Sequence, residues 1–172
     1  MVLTKDELST KLQDEVRLLL HLVSKVDPAD LDYRPTPKQR SLLELLQYLT
    51  IMGPIHARAI KADIFDMNSW SNMWRTEEAA AKTRNLAEVK NEIGKHSALF
   101  AELVASCSDA GLRAEFEMFG SRASRGSWFV SLVLCHYAAY RMQLFLYLKG
   151  CGHEELNTMN LWVGMDGPMH PG

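Results

Sequence analysis

Residues 126–149 read GSWFVSLVLCHYAAYRMQLFLYLK, and this stretch decides the fold. It is long enough for one complete bundle helix, and apolar residues occupy nearly every face of that helix. Such a pattern is typical of a helix that neighbours cover on several sides, not of one that lies on a surface. It predicts the central helix of an all-α protein.

One face of this predicted helix carries polar side chains. His136, Tyr140, Gln143 and Tyr147 follow one another at spacings of four, three and four residues, so they share that face. Polar groups in an apolar helix need a partner, which can be another side chain, water, a metal ion or a ligand. We therefore expect the functional site on this face.

The composition describes an ordinary globular chain. Of 172 residues, 47% are hydrophobic and 23% are charged, which suits one domain with a substantial core. The net charge of -2 leaves no basic surplus for a phosphate backbone, so we expect no nucleic-acid partner.

The sequence also favours a cytoplasmic protein. Cys107, Cys135 and Cys151 form no C-x-x-C pair, and their odd number argues against a disulfide framework. The first residues lack the pattern of a signal peptide. The longest nearly uncharged run ends at Arg141, before it spans a bilayer, so no membrane partner is expected.

Apolar residues spaced by threes and fours predict three helices before the central one. Thr4-Lys5-Asp6-Glu7 and Ser41-Leu42-Leu43-Glu44 have the spacing of capping boxes and mark the first two starts. Asn85 is expected to cap the third helix. Gly53-Pro54 falls inside the second helix, where proline is expected to produce a kink. Four long helices joined by long connections predict a four-helix bundle.

The connecting segments lack helical periodicity. Residues 63–75 hold two tryptophans among polar residues and are expected to form a loop, followed by a short helix over Thr76–Lys82. Residues 111–125 are expected to be irregular. Without repeats or linkers, residues 1–172 are predicted to form one domain, with a core from about 4 to 150 and a short C-terminal tail, 151–172, packed on it.

Two motifs in this order resemble those of the DinB-like (DinB/YfiT) family of four-helix-bundle proteins. LDYRPTPKQRSLLELLQYL, residues 31–49, is similar to the family segment that ends in W-S-x-x-E-x-L-x-H-L. LCHYAAYRMQL, residues 134–144, is similar to the last-helix pattern of one His, a second His four residues later, and then Arg-Gly-Gln. The resemblance covers most of the chain and implies the fold of that family.

The resemblance implies a metal site of three histidines, which fall here on Tyr48, His136 and Tyr140. A neutral phenol is a poor ligand because it must first lose a proton with a pKa of about 10. We therefore expect a degenerate site and no cofactor; a divalent zinc or nickel ion, or ferric iron, is the alternative. His56 lies two turns from Tyr48 and is not expected to share an ion with it.

The same residues have a simpler interpretation. Tyr48, His136 and Tyr140 can hydrogen-bond to one another and to water as a buried polar network. Together with Gln143 they are predicted to line a small pocket. The other two histidines in predicted helices, His21 and His96, are interpreted as ordinary core or boundary residues.

Three functions follow from these alternatives. The first, which we favour, is a DinB-like protein that binds a small molecule or acts without metal. The second, implied by the resemblance, is a metal-dependent hydrolase or thiol transferase; His136 is also a candidate general base for metal-free catalysis. The third is a non-catalytic module that forms a homodimer through the apolar last helix. The residues leave open whether the chain is an enzyme.

Overall fold

The structure is a computed structural model, and it describes residues 3–167. These residues are mostly helical, which confirms the all-α class. A 3-10 turn at Pro28–Asp30 and a π-helical turn at Met159–Val163 accompany the longer elements. The helices and strands are α1 (Lys5–Val23), α2 (Leu42–Lys61), α3 (Met67–Ala81), α4 (Leu86–Ala105), α5 (Asp109–Arg113), β1 (Glu115–Met118), β2 (Ser121–Ser124) and α6 (Arg125–Gly150).

The predicted caps are confirmed at the starts of α1, α2 and α4. At α2, the backbone N–H of Ser41 donates to the Glu44 carboxylate at 2.9 Å, and Ser41 Oγ accepts from the Glu44 N–H. Glu44 also pairs with Arg34 of the preceding loop, at 2.7 Å. This contact ties the proline-containing loop to the start of the helix that carries Tyr48. The helix then continues through Pro54 to Lys61.

The bundle is formed by α1, α2, α4 and α6, which enclose one main core. The helices α2 and α6 lie close together at Gly53, where an added Cβ would lie 2.3 Å from Tyr137 Cε2. Glycine at position 53 therefore lets the two helices meet. Fully buried core residues include Leu12, Leu19, Leu45, Leu49, Phe100, Phe129 and Leu144.

The expected loop over residues 63–75 is wrong, because α3 begins at Met67 and absorbs the short helix predicted after it. Asp66 caps α3 by accepting from the Ser69 N–H at 2.7 Å. Trp70 and Trp74, one turn apart, pack against α2. Since Ala81 is the one buried residue of α3, the helix covers α2 without entering the core.

The expected irregular segment over 111–125 is also wrong. It contains the end of α5 and an antiparallel hairpin in which Glu115 faces Ser124 and Met118 faces Ser121. The two turn residues, Phe119 and Gly120, have φ values of 52° and 73°, as a tight two-residue hairpin requires. Phe119 adopts this unfavourable backbone while its ring packs on α3.

The last helix extends one residue beyond the predicted span at each end. Within residues 3–167, α6 is the one helix that is long and apolar enough to cross a membrane by length and composition. Core helices of soluble bundles meet the same criteria, and Arg141 does not interrupt the helix. Cys135, Ala139 and Leu146 are exposed along one side of α6, so one apolar face of the helix remains uncovered.

The described part of the tail packs on the bundle. Leu161 is buried, and its carbonyl accepts a hydrogen bond from the guanidinium of Arg141. Arg17 of α1 donates to the Val163 carbonyl at 2.9 Å. The predicted tail also included residues 168–172, which lie outside the described residues.

Candidate functional site

The helices α2 and α6 bring the three predicted site residues together. The ring centroids of Tyr48 and Tyr140 lie 5.0 Å apart, and those of His136 and Tyr140 lie 6.3 Å apart. The contact joins the middle of α2 to the middle of α6. The side chains at the positions that the resemblance assigns to ligands therefore meet where α2 contacts α6, and each of them is half-buried.

A π-helical turn over Phe129–Leu134 immediately precedes His136. At its end the Cys135 N–H donates to the carbonyl of Val130, five residues earlier. The additional residue in this turn changes the direction in which the following side chains point, and such turns occur frequently at functional sites. No local pattern in residues 129–134 indicates this turn.

His56 is the site residue that sequence reasoning missed. It is buried on α2, and its ring centroid lies 5.3 Å from that of His136. Antiparallel packing of α2 and α6 places position 56 beside 136 when position 48 is beside 140. His56 does lie two turns from Tyr48 along α2, but its neighbour in the site is His136 of α6.

Two tryptophans of α3 cover this group of rings. Trp70 stacks on His56, with centroids 6.2 Å apart and planes 30° apart. The ring centroid of Trp74 lies 5.9 Å from the ring centroids of both His56 and Tyr48. We call Tyr48, His56, Trp70, Trp74, His136 and Tyr140 the aromatic cluster.

Burial keeps both histidines of the cluster neutral near pH 7. It lowers the pKa of His56 to about 4, helped by the nearby His136, and it also lowers the pKa of His136. The carbonyls of Met52 and Leu132, one turn earlier in each helix, raise these pKa values only in part. Neither carbonyl forms a hydrogen bond of good geometry with Nδ1 of its histidine.

The Tyr48 phenol of the cluster also stays protonated. Burial, followed by the adjacent Tyr140 hydroxyl, raises the pKa of Tyr48 well above its usual value. The Arg40 guanidinium, 4.2 Å from the centre of the Tyr48 ring, opposes this effect only partly. A phenol that resists deprotonation is a weak metal ligand.

Tyr48, His136 and Tyr140 meet through ring packing, and the Tyr140 hydroxyl acts on the pKa of Tyr48 as a hydrogen-bond partner does. The network of all three side chains with water stays a prediction. Gln143 lies apart from them and donates to the Tyr147 hydroxyl at 3.0 Å. Tyr147 in turn donates to the Arg40 carbonyl at 3.2 Å.

The histidine interpreted as an ordinary core residue, His96, has complete hydrogen bonding. Its Nε2 lies 3.1 Å from the Thr50 carbonyl and its Nδ1 lies 2.5 Å from the Tyr137 hydroxyl. A carbonyl can only accept, so Nε2 carries the proton and Nδ1 accepts from Tyr137. Burial lowers the pKa of His96 to about 4.

The donor set does not fit a tightly bound metal ion. No group of three His, Cys, Asp or Glu side chains within residues 3–167 is arranged to hold one. At the three positions that the resemblance assigns to ligands, a single imidazole is accompanied by two phenols. His56 adds a second imidazole on one side, but a third ligand of suitable chemistry is missing from the cluster.

Two cavities border α3 beside the cluster. One, of about 410 Å³, is lined by Tyr48, Arg40, Gln47, Glu78 and Lys82. The other, of about 280 Å³, is lined by Trp70 with Ala59, Phe65 and Met73. A larger cavity, of about 450 Å³, lies near the start of α1 and shares no residue with the cluster.

Comparison with solved structures identifies the architecture. A crystal structure of a DinB-like protein from Bacillus subtilis, YjoA, superimposes with a TM-score of 0.66, covering 87% of this chain and 94% of that one. The chain has a DinB-like fold. At 16% identity the likeness shows the fold alone. No family sequence profile matches the chain, and no curated protein does. The predicted DinB-like bundle is thereby confirmed.

Proposed function

We propose that this DinB-like protein binds a small molecule at the aromatic cluster and holds no metal ion at Tyr48, His136 and Tyr140. The observation that carries the proposal is the meeting of these three side chains with two phenols in place of imidazoles. The raised pKa of Tyr48 removes its value as a ligand. A metal-dependent hydrolase or thiol transferase would need the ligands that are missing.

The surroundings of the cluster suit a small ligand. The two cavities beside α3 have about the size of small-molecule sites, and together they offer apolar walls and charged groups. The cavity beside Tyr48 suits a polar molecule, because Arg40, Lys82 and Glu78 line it. His136 lines neither cavity, but it is neutral and is our candidate general base for a molecule that reaches the cluster.

The double substitution Tyr48→His and Tyr140→His tests the metal-free centre. It restores three imidazoles at positions that already converge, so the variant should bind one Zn²⁺ or Ni²⁺ ion at least about 100-fold more tightly than the natural protein. Isothermal titration measures both affinities. The control is Tyr48→Phe with Tyr140→Phe, which should gain nothing.

Two results would refute this account of the site. Tight, saturable zinc binding by the natural protein would show that the present residues suffice. A correctly folded histidine variant without added affinity would show that the three positions do not share one ligand point.

We also propose that the uncovered face of α6 pairs with a second copy of the chain. Cys135, Ala139 and Leu146 are exposed on it, Leu146 to 59%. Because the face lacks charged side chains, two copies can meet without burying charge.

Light scattering should give twice the chain mass for the natural protein and the single mass for Leu146→Glu. Ile64→Glu, on another exposed surface, should remain dimeric; a monomeric natural protein would contradict the proposal.

A further inference from the structure

Three buried side-chain nitrogens among the described residues have no hydrogen-bond partner, and all three belong to the aromatic cluster. They are His56 Nδ1, Trp70 Nε1 and His136 Nδ1. Elsewhere such groups are satisfied, as shown by Trp128, whose Nε1 donates to the Phe116 carbonyl at 2.9 Å. Unpartnered buried nitrogens destabilise a fold, so their concentration at one place points to a missing partner.

The chemistry of these nitrogens restricts that partner. The indole nitrogen of Trp70 can only donate, and each neutral imidazole donates from one of its nitrogens. A partner common to all three must therefore accept from Trp70, and each imidazole matches such a partner in the tautomer that carries its proton on Nδ1. A metal ion accepts none and would leave Trp70 unpartnered.

The charges around the cluster favour an anionic acceptor. The rings adjacent to His56 and His136 belong to tryptophan and tyrosine, and none of these neighbours is a carboxylate. The Arg40 guanidinium lies on the Tyr48 ring at the edge of the cluster. An oxygen with negative charge accepts stronger hydrogen bonds from N–H groups than a neutral oxygen does.

The cavity beside Trp70 supplies room for the rest of such a molecule. Its walls include the apolar side chains of Ala59, Phe65 and Met73. Arg58 and Asp66 also line it, one of each charge. Trp70 separates this cavity from His56, and α3, which carries Trp70, buries only Ala81. Neither histidine lines the cavity, so a ligand that reaches all three nitrogens from it requires a displacement of α3.

We propose that His56, His136 and Trp70 bind the carboxylate of a small organic acid whose apolar body occupies the cavity beside Trp70. This assignment rests on the small-molecule function proposed above and names the class of ligand. The carboxylate accepts from the indole and from the two imidazoles, and the apolar walls select an acid with a hydrophobic group.

Sodium benzoate is the probe, and benzamide is its uncharged counterpart of nearly equal shape. Benzoate should bind saturably by isothermal titration and should shift the indole N–H signal of Trp70 in a ¹H–¹⁵N spectrum. Trp70→Phe keeps an aromatic ring but removes the donor, so it should weaken benzoate binding about tenfold. Trp162→Phe is the matched control, because Trp162 is exposed outside the cluster, and it should bind as the natural protein does.

The proposal is overturned if benzoate leaves the Trp70 signal of the natural protein unchanged, or if benzamide binds equally well. An unchanged affinity in folded Trp70→Phe also overturns it. Failure here is separable from failure of the metal-free centre, because zinc titration of the histidine variant does not involve benzoate. If the histidine variant gains zinc affinity as expected but the natural protein does not bind benzoate, only the carboxylate assignment is refuted.

Discussion

Replacing Arg141 by Ala is expected to lower the free energy of unfolding by about 3–5 kcal/mol. Arg141 is 1% exposed, and its Nε lies 2.9 Å from a carboxylate oxygen of Glu15 on α1. The same guanidinium binds the Leu161 carbonyl and lies 5.0 Å from the Trp162 ring. The substitution would leave the largely buried Glu15 carboxylate without its partner. It would also remove the contacts that hold Leu161 and Trp162 of the tail.

Chemical denaturation of Arg141→Ala measures this loss. Arg141→Met together with Glu15→Met is the matched control, because it removes both charges and keeps apolar volume. We expect the double variant to recover most of the lost stability. If Arg141→Ala costs less than about 1 kcal/mol, the buried pair does not connect α1, α6 and the tail as described.

Acidification is expected to destabilise the protein strongly between pH 6.5 and about 4. The pKa of His96 falls from 6.5 in the unfolded chain to about 4 in the fold, because burial disfavours the charged imidazole. The unfolded chain therefore binds more protons in this window. The stability from the neutral form is complete above pH 6.5 and is lost as the pH falls toward 4, by roughly 3 kcal/mol for His96 alone.

The pH dependence of unfolding checks this expectation, with His96→Gln as the variant that does not titrate. Its stability at pH 7 should be lower, but its loss between pH 7 and 4.5 should be smaller by about 2 kcal/mol. His56, whose pKa is also lowered to about 4, should produce much of the remaining slope. Equal slopes in the two proteins would contradict the buried, neutral state of His96.

The long helices could be predicted because their signals are local. Thr4 with Glu7 and Ser41 with Glu44 stand at fixed offsets, and the apolar residues behind them repeat at helical spacing. By contrast, α3 has a weak local pattern. Its polar first turns favour a loop, and only the contact of Trp70 and Trp74 with α2 reveals the face that the helix covers.

The hairpin could not be predicted either, because its turn depends on tertiary contacts. Its turn uses Phe119 at a positive φ, where Asn or Gly is the usual signal. The Phe119 ring packs 4.7 Å from Phe65 and 5.2 Å from Trp70, and these tertiary contacts offset the unfavourable backbone. Such contacts are distant in sequence, so the pattern around residue 119 could not indicate them.

The sequence indicates part of the candidate site. The positions of Tyr48, His136 and Tyr140 came from the motif resemblance, and the structure places these side chains together. The place of His56 depends on which residues of α6 face α2, a register set by Gly53 against Tyr137. That register and the π-helical turn before His136 arise from packing between helices, which local periodicity does not record.

The metal content of the purified, untagged protein tests the central claim most directly. We predict that elemental analysis finds zinc, nickel and iron each well below one atom per chain, because phenols occupy two of the three ligand positions. Near-stoichiometric metal that is lost in a His136→Ala variant would contradict it.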